Sequence, residues 1–227
     1  MSILTQSSGL TAAPPPGANG ETQRFLLRNI DWRTYKGIGD LLPDRPGLRL
    51  TYDRGNLEFM STSHKHEIYK KNMSRFMEMV AEAFEKPFVG AGNMTFQRED
   101  LDRGFEPDDC FWISTESVMR GKLTWEPTVD PPPDLALEIE VSRSALNRMA
   151  IYAAFRIGEV WCFDGDELRV YRLQSNGTYQ RVESSVAFPG INLDELVPFI
   201  KMLETQDVLT VMRAFREWLR QQIGKSS

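Results

Sequence analysis

Apolar residues recur along this chain with two different spacings, one typical of strands and the other typical of helices. Residues 48–52 and 56–60 both alternate and flank a short polar segment that ends in Gly55, which predicts a β-hairpin. Ser63 stands just before a run with helical spacing, so we expect it to cap a long helix. The apolar positions of that helix are Tyr69, Met73, Phe76, Met77, Val80 and Phe84.

The rest of the chain continues in a mixed order of strands and helices. The patterns predict an extended region over 88–96, strands over 108–113, 135–141 and 160–163, a helix that begins after Ser142 or Ser144 and ends at Gly158, a hairpin turned at Asn176-Gly177, and helices over 193–203 and 208–223. From residue 67 to residue 164 the order is helix, three strands, helix, strand. This order predicts an α/β or α+β fold with one central mixed sheet flanked by helices.

The chain divides into a tail and one domain. Residues 1–22 are rich in Ser, Thr, Ala, Pro and Gly, which predicts a flexible segment. Residues 23–227 form the predicted single domain, with a core over about 48–173 that includes the N-terminal β-hairpin, and a helical extension over about 190–223.

The last predicted helix, over 208–223, suggests how the chain associates with other copies of itself. It carries Val211, Phe215 and Leu219 near one face, after the core is complete. We expect this face to bury itself in a homodimer, because obligate interfaces are rich in apolar area. The alternative is that the helix packs back on its own sheet.

Composition excludes several classes of protein. A hydrophobic fraction of 41% and a charged fraction of 26% are ordinary for a globular chain, and no apolar run is long enough to cross a membrane. The N-terminus shows no secretory signal, and two cysteines, Cys110 and Cys162, are too few for a disulfide framework. We therefore expect a cytoplasmic protein, with Cys162 as a small buried apolar residue. The net charge of −5 argues against bulk coating of DNA but leaves room for a local basic groove.

The acidic strand over residues 134–141 carries the candidate chemistry. Alternate side chains share a face of a strand, so one face holds Leu135, Leu137, Ile139 and Val141, and the other holds Asp134, Ala136, Glu138 and Glu140. We expect the apolar face to be buried. Two neighbouring carboxylates on a central strand would repel each other, and a divalent cation such as Mg²⁺ would relieve the repulsion. The alternative is a half-exposed antiparallel strand with a solvated acidic face.

A second acidic element lies upstream of this strand. Glu106-Pro107-Asp108-Asp109 stands immediately before the predicted strand over 108–113. A carboxylate at the mouth of a neighbouring strand is suited to be a further oxygen ligand for the same ion. The alternative is a plain turn, for which Pro-Asp-Asp is common chemistry.

These elements resemble the Uma2 family of restriction-endonuclease-like proteins, over about half of the chain. The matching pieces are residues 51–61, His66-Glu67, Pro107-Asp108, residues 132–139, residues 150–154 and residues 158–161, in the order of the family. The resemblance implies the core of the PD-(D/E)XK nuclease superfamily, which is helix, three strands, helix, strand.

The resemblance also implies roles for individual residues. It makes Asp108 the metal-binding aspartate and Glu138 the acidic residue of the (D/E)-X-K element, whose lysine position is occupied here by Glu140. Similar members carry a lysine in the following helix, where this chain has Arg148. Arginine stays protonated and cannot act as a base, but it can neutralise charge that develops in a transition state. A long side chain at this position can reach back toward Glu138 and Glu140, so we expect Arg148 to be part of the site. If it pairs with Glu140, it occupies the place of the missing lysine.

Other polar residues near the first helix are secondary candidates. His66 and Glu67 match a family position, and Glu58 lies on the hairpin. His64 and His66 would point the same way in an extended segment, but the alternative is that both are solvated residues at a helix start. The basic residues Lys65, Lys70, Lys71 and Arg75 are suited to phosphate contacts, although a solvated helix face accounts for them equally well.

The sequence therefore supports two functions. The first is hydrolysis of DNA phosphodiester bonds with Mg²⁺ or Mn²⁺ held by Asp108, Glu138 and the backbone carbonyl of Ile139. In that function Glu140 binds a second metal ion or positions the attacking water. The second is a catalytically silent binding or assembly module that keeps the nuclease fold, because fold alone does not establish activity.

Overall fold

The computed structural model describes residues 21–42, 45–140 and 143–226. The strands are β1 (Gln23–Arg28), β2 (Leu48–Asp53), β3 (Asn56–Ser61), β4 (Val89–Gly90), β5 (Phe96–Arg98), β6 (Arg103–Phe105), β7 (Asp109–Trp112), β8 (Leu135–Ile139), β9 (Glu159–Phe163), β10 (Leu168–Leu173) and β11 (Tyr179–Val182). The helices are α1 (Trp32–Leu41), α2 (His64–Ala83), α3 (Glu116–Met119), α4 (Arg148–Phe155), α5 (Val197–Met202) and α6 (Val208–Ser226). The predicted tail lies outside the described residues, except for its last two positions.

The first sheet has five antiparallel strands in the order β1-β3-β2-β6-β5. It contains the predicted hairpin, in which Arg54 and Gly55 both have positive φ, as the tight two-residue turn between twisted strands requires. Helix α1 packs on this sheet, where the Tyr35 ring stacks on the Tyr52 ring at 4.6 Å between centroids. The hairpin is therefore part of a larger layer with its own small core.

The second sheet has six strands in the order β11-β10-β9-β8-β7-β4. Its strands pair antiparallel except for β8 and β9, which run parallel and are joined through α4. Apolar residues of α2 and α6 cover one face of this sheet. The other face is covered by α4 and by Phe96 and Phe105 of the first sheet. Strand β8 is therefore central and has both of its faces buried.

The burial of β8 confirms the alternation of its apolar residues. Leu135, Leu137 and Ile139 are buried in the cluster with α2 and α6, whereas Val141 lies outside the described residues. The opposite face is buried as well, because Glu138 is only 6% exposed. The alternative of a half-exposed antiparallel strand with a solvated acidic face is therefore wrong for β8.

The fold class is confirmed as α/β with helices that flank the sheets, but there are two sheets and not one. Long-range pairing of β2 with β6 builds the first sheet, and local patterns do not report such pairing. Strand β1 and helix α1 were not predicted either. Phe25 and Leu27 of β1 are both exposed, so this edge strand lacks the alternation of a buried strand.

Two helix starts test the predicted caps. Ser63 caps α2 as predicted, with its side chain accepting a hydrogen bond from the His66 backbone N–H. Helix α4 begins at Arg148, later than predicted, and Asn147 caps it. Ser144 is not the cap because its hydroxyl donates to Glu58 instead, and Ser142 lies outside the described residues.

Helix α6 packs within the chain. Val211, Phe215 and Leu219 are buried in the same cluster as Phe76 of α2, and the Phe76 and Phe215 rings lie 4.4 Å apart. The apolar face on which the dimer prediction was based is therefore covered by the chain's own core.

Two further features concern the environment of the chain. None of the helices in the described ranges is long and apolar enough to span a bilayer. Cys110 and Cys162 are free thiols and both are buried, which agrees with the interpretation of Cys162 as a small apolar residue.

A glycine substitution tests the first sheet. A methyl group on Gly104 of β6 would collide with the hydroxyl and ring of the buried Tyr35. We expect Gly104→Ala to lower the free energy of unfolding by about 1–3 kcal/mol. Gly39→Ala in α1 is the matched control, because its methyl group meets no atom within 4 Å. This control is expected to raise stability by about 0.5–1 kcal/mol in the same urea titration. Equal effects of the two changes would contradict the described packing.

Candidate active site

Two buried carboxylates face each other across neighbouring strands of the second sheet. Asp109 pairs with Leu137 in the antiparallel register of β7 and β8, so the preceding Asp108 stands opposite Glu138. Residues opposite each other in such a ladder put their side chains on the same face. Asp108 is 2% exposed and Glu138 is 6% exposed. The sequence thus brings two acidic side chains together in the protein interior.

Asp108 is held by the strand beside it and by the first turn of α2. Its Oδ2 accepts a hydrogen bond from the Ile139 backbone N–H at 2.7 Å and one from His66 Nε2 at 3.0 Å. Burial alone would raise the pKa of Asp108, but these partners, above all His66, hold it below its usual value. Asp108 is therefore a fixed, ionised carboxylate.

His66 is completely buried and links two acids. Its Nδ1 lies 3.5 Å from Glu67 Oε1, on the side opposite to Asp108. Burial alone would lower the pKa of His66, but the contacts with Asp108 and Glu67 raise it to about 9. The same contact with His66 lowers the pKa of Glu67 to about 2. At neutral pH a protonated His66 therefore lies between two carboxylates, the half-exposed Glu67 on one side and the buried Asp108 on the other.

Arg148 is the first residue of α4 and points into the cluster. Its guanidinium donates to Glu138 Oε1 at 2.7 Å, to the Thr51 hydroxyl at 2.9 Å and to the Glu106 carbonyl at 3.3 Å. It also donates to the Tyr152 hydroxyl, which in turn donates to Glu138. The guanidinium therefore ties α4 to both sheets.

The electrostatics of Glu138 and Arg148 follow from burial. Burial raises the pKa of Glu138, and the charge of Asp108 raises it further, although Arg148 opposes both effects. The pKa of Tyr152 is raised well above its usual value by burial. Two cations, Arg148 and the protonated His66, balance the two buried carboxylates. The cluster is thus close to neutral by itself.

The donor set is compatible with a hard divalent cation. Within the described residues, both hydrogen bonds to Asp108 end on Oδ2 and both bonds to Glu138 end on Oε1, so one oxygen of each carboxylate accepts none. Mg²⁺ is held in many enzymes by one or two carboxylates, with water and substrate oxygens completing its shell. No group of three or more His, Cys, Asp or Glu side chains suited to a metal ion occurs in the described part of the chain.

Two other predicted site residues lie outside this cluster. Glu140 follows the end of β8, is half-exposed, and pairs with Arg169 at 3.0 Å. Of the two acids that Arg148 was expected to reach, it pairs with the buried Glu138 and not with Glu140, because α4 starts late and directs the side chain inward. His64 is exposed at the start of α2, which agrees with the alternative of a solvated residue, but that alternative is wrong for His66, which is buried.

Glu58 has a supporting position at the entrance of α4. It is 1% exposed, and its carboxylate accepts hydrogen bonds from Arg24, from the Ser144 hydroxyl and from the Ala145 backbone N–H. These bonds fix the segment that leads into Arg148. Glu58 therefore positions the site without contacting the other acids.

Sequence reasoning missed three partners in the cluster, namely Tyr152, Thr51 and the carbonyl of Glu106. Tyr152 was detectable, because a residue four positions after Arg148 lies on the same face of a helix. The other two come from distant segments of the chain, and no local spacing reveals them.

Comparison with known proteins identifies what the chain is similar to. A family model described as "Uma2: Putative restriction endonuclease" matches residues 35–211. Among solved structures the chain resembles one titled "Crystal structure of a putative nuclease belonging to DUF820 from Anabaena variabilis ATCC 29413", with 16% identity and a TM-score of 0.49. The match covers 66% of this chain and 90% of that one. No curated protein matches this chain.

The supporting role of Glu58 can be tested through stability. Glu58→Gln replaces one carboxylate oxygen by an amide N–H₂, which cannot accept the hydrogen bonds that this oxygen now receives from Arg24, Ser144 or Ala145. We therefore expect the free energy of unfolding to fall by about 1–3 kcal/mol. Glu140→Gln is the control, because its ion pair with Arg169 lies at the surface and contributes at most about 1 kcal/mol. Urea unfolding followed by circular dichroism gives both values. A Glu58 variant as stable as the Glu140 variant would show that the segment before α4 is held by other contacts.

Proposed function

The chain belongs to the Uma2 family, and we propose on this premise that it hydrolyses phosphodiester bonds of DNA with a bound Mg²⁺ or Mn²⁺ ion. The observation that supports this proposal is the pair of buried carboxylates, Asp108 and Glu138, each with one oxygen that accepts no hydrogen bond from the described residues. Two carboxylates side by side in the interior are costly to fold, and a role in binding a cation would give a reason to keep both. A cytoplasmic location is part of the same proposal, since both cysteines are free thiols.

The proposed ligands are Asp108, Glu138 and the backbone carbonyl of Ile139. Strands β7 and β8 position all three, because Ile139 is the residue after Glu138 and donates its N–H to Asp108. A bound metal ion would lower the pKa of a water molecule and stabilise charge on the scissile phosphate.

The chain's own residues would do the remaining work. His66 holds Asp108 in one orientation and keeps it ionised, so that the carboxylate presents its other oxygen. Arg148 keeps its charge at all accessible pH values, so it can neutralise a phosphate oxygen but cannot accept the proton of the attacking water. Tyr152 fixes the Arg148 and Glu138 side chains relative to each other. Glu140, which pairs with Arg169 at the exposed end of β8, would orient water or a second ion at the rim.

A second function is favoured by a specific observation. Both candidate carboxylates are already paired with a cation, Asp108 with His66 and Glu138 with Arg148. A module that binds DNA without cleaving it would need these ion pairs only to hold its fold together. Metal binding separates the two functions, since a nuclease of this kind must bind Mg²⁺ or Mn²⁺ and a silent module need not.

Removal of one acid tests the nuclease directly. We expect Asp108→Asn and Glu138→Gln each to abolish Mn²⁺-dependent nicking of plasmid DNA and to weaken Mn²⁺ binding in calorimetry, because each change removes a proposed ligand charge. Asp40→Asn, at an exposed position of α1, is the control and should nick like the unchanged protein. Mn²⁺ binding that survives both substitutions would place the metal elsewhere. If no protein, unchanged or substituted, nicks the plasmid and none binds Mn²⁺, the chain is a catalytically silent module and the nuclease proposal is wrong.

Substitution of Arg148 separates its charge from its structural role. Arg148→Ala leaves Glu138 buried without a cation, so we expect a loss of about 3–5 kcal/mol in the free energy of unfolding. Arg148→Lys keeps a positive charge and is expected to keep the fold and to retain or raise Mn²⁺-dependent cleavage. The double variant Arg148→Met/Glu138→Leu removes both charges and should recover most of the lost stability. A stable Arg148→Ala single variant would contradict the buried pair.

A further inference from the structure

A polar groove of about 460 Å³ adjoins the buried cluster. It lies between the first sheet and helix α2, and its lining includes three cations and two acids: Arg45, Arg49, Lys70, Glu67 and Glu106. Two of these lining residues connect the groove to the cluster. Glu67 contacts His66, which contacts Asp108, and the Glu106 carbonyl accepts a hydrogen bond from Arg148. A ligand in the groove would therefore lie next to the candidate active site.

The charges of the groove are only partly compensated. The Glu106 carboxylate accepts hydrogen bonds from Arg45, from the Thr95 hydroxyl and from the Leu50 backbone N–H. Glu67 lies 3.5 Å from His66, but the charge of His66 already balances Asp108. Glu67 therefore offsets one of the two other cations, Arg49 and Lys70, and the groove keeps one net positive charge. Lys70 forms no ion pair within the described residues.

Arg49 is the most buried cation of this set. It is only 6% exposed, and its Nε, like those of Arg45 and Arg148, is buried without a hydrogen-bond partner among the described residues. Its closest acidic contact is Glu67 Oε1 at 4.0 Å, which is beyond hydrogen-bond distance. A buried guanidinium loses several hydrogen bonds to water, so a site that leaves them unmade is suited to a ligand that supplies oxygen acceptors.

We propose that Arg49 and Lys70 hold a backbone phosphate of DNA in this groove, beside the phosphate that is cleaved. Phosphate oxygens match the fork of a guanidinium, and a lysine adds a point charge from the opposite wall. Backbone contacts of this kind fix the register of DNA on a protein without reading its sequence. A local groove of this kind reconciles DNA binding with the net charge of −5. This inference rests on the proposed DNA substrate.

Binding of labelled oligonucleotides tests the groove. In EDTA, where cleavage is suppressed, the dissociation constants of a fluorescein-labelled duplex and of one of its strands would be measured by anisotropy at several salt concentrations. Lys70→Gln and Arg49→Gln should each weaken binding roughly tenfold at low salt. Each should also reduce the slope of log affinity against log salt by about 1. Arg49→Lys is expected to restore part of the affinity.

Lys71→Gln is the matched control. Lys71 neighbours Lys70 on α2 but is exposed and is not part of the groove lining, so the same loss of charge there should change affinity little. Because Arg49 is buried, circular dichroism melting would verify that its variants fold. Lys70 is only half-buried, so Lys70→Gln carries the test if Arg49→Gln unfolds. Equal affinities of the Lys70 and Lys71 variants would overturn the proposal.

Two further arms separate this inference from the proposed function. If inorganic phosphate alone stabilises the protein against heating, and the Lys70 change abolishes that effect but leaves DNA affinity unchanged, then the groove binds free phosphate and the proposal is wrong. If the unchanged protein binds DNA through Arg49 and Lys70 but does not cleave it with Mn²⁺, the groove stands and the nuclease proposal fails. If cleavage occurs and both variants cleave and bind like Lys71→Gln, the nuclease proposal stands and the groove proposal fails.

Discussion

The buried ion pair between Glu138 and Arg148 is the contact on which the rest of the site depends. Glu138 lies on the central strand of the second sheet, and Arg148 begins the helix that joins β8 to β9. The guanidinium also bonds to Thr51 of the first sheet. A charge in the interior is tolerated only when it is paired and its hydrogen bonds are made. The two terminal nitrogens of Arg148 make these bonds and only its Nε lacks a partner among the described residues, so the pairing of the guanidinium fixes how α4 and the two sheets meet.

The second buried pair, His66 with Asp108, extends this constraint to α2. Its geometry follows from a local event at the helix start, where Ser63 caps the first turn and directs His66 inward. In each pair one carboxylate oxygen accepts no hydrogen bond from the described part of the chain, and both pairs rest on residues that pack on the central strand. The cluster is thus preorganised by its own cations, and a bound metal ion would have to share the carboxylates with them.

Local patterns in the sequence predicted the elements whose burial follows from neighbours along the chain. The hairpin of β2 and β3, the capped helix α2 and the apolar face of β8 all belong to this group. The pattern also marked the two acidic segments, and the family resemblance singled out Asp108 and Glu138 within them. The strand register places these two residues opposite each other. The features that local patterns did not predict depend on contacts between distant segments. They are the pairing of β2 with β6, the start of α4 and the choice of carboxylate that pairs with Arg148.

The partner of Arg148 shows why such contacts escape sequence reasoning. Glu138 and Glu140 lie on the same face of an extended segment, so both were equivalent partners for a long basic side chain in the next helix. The structure distinguishes them by burial, because Glu138 lies under α4 while Glu140 reaches solvent and pairs with Arg169. A buried acid needs a partner far more than an exposed acid does, since water already stabilises the exposed charge. Desolvation therefore decides which acid receives the arginine, and it does so only once the sheets have come together.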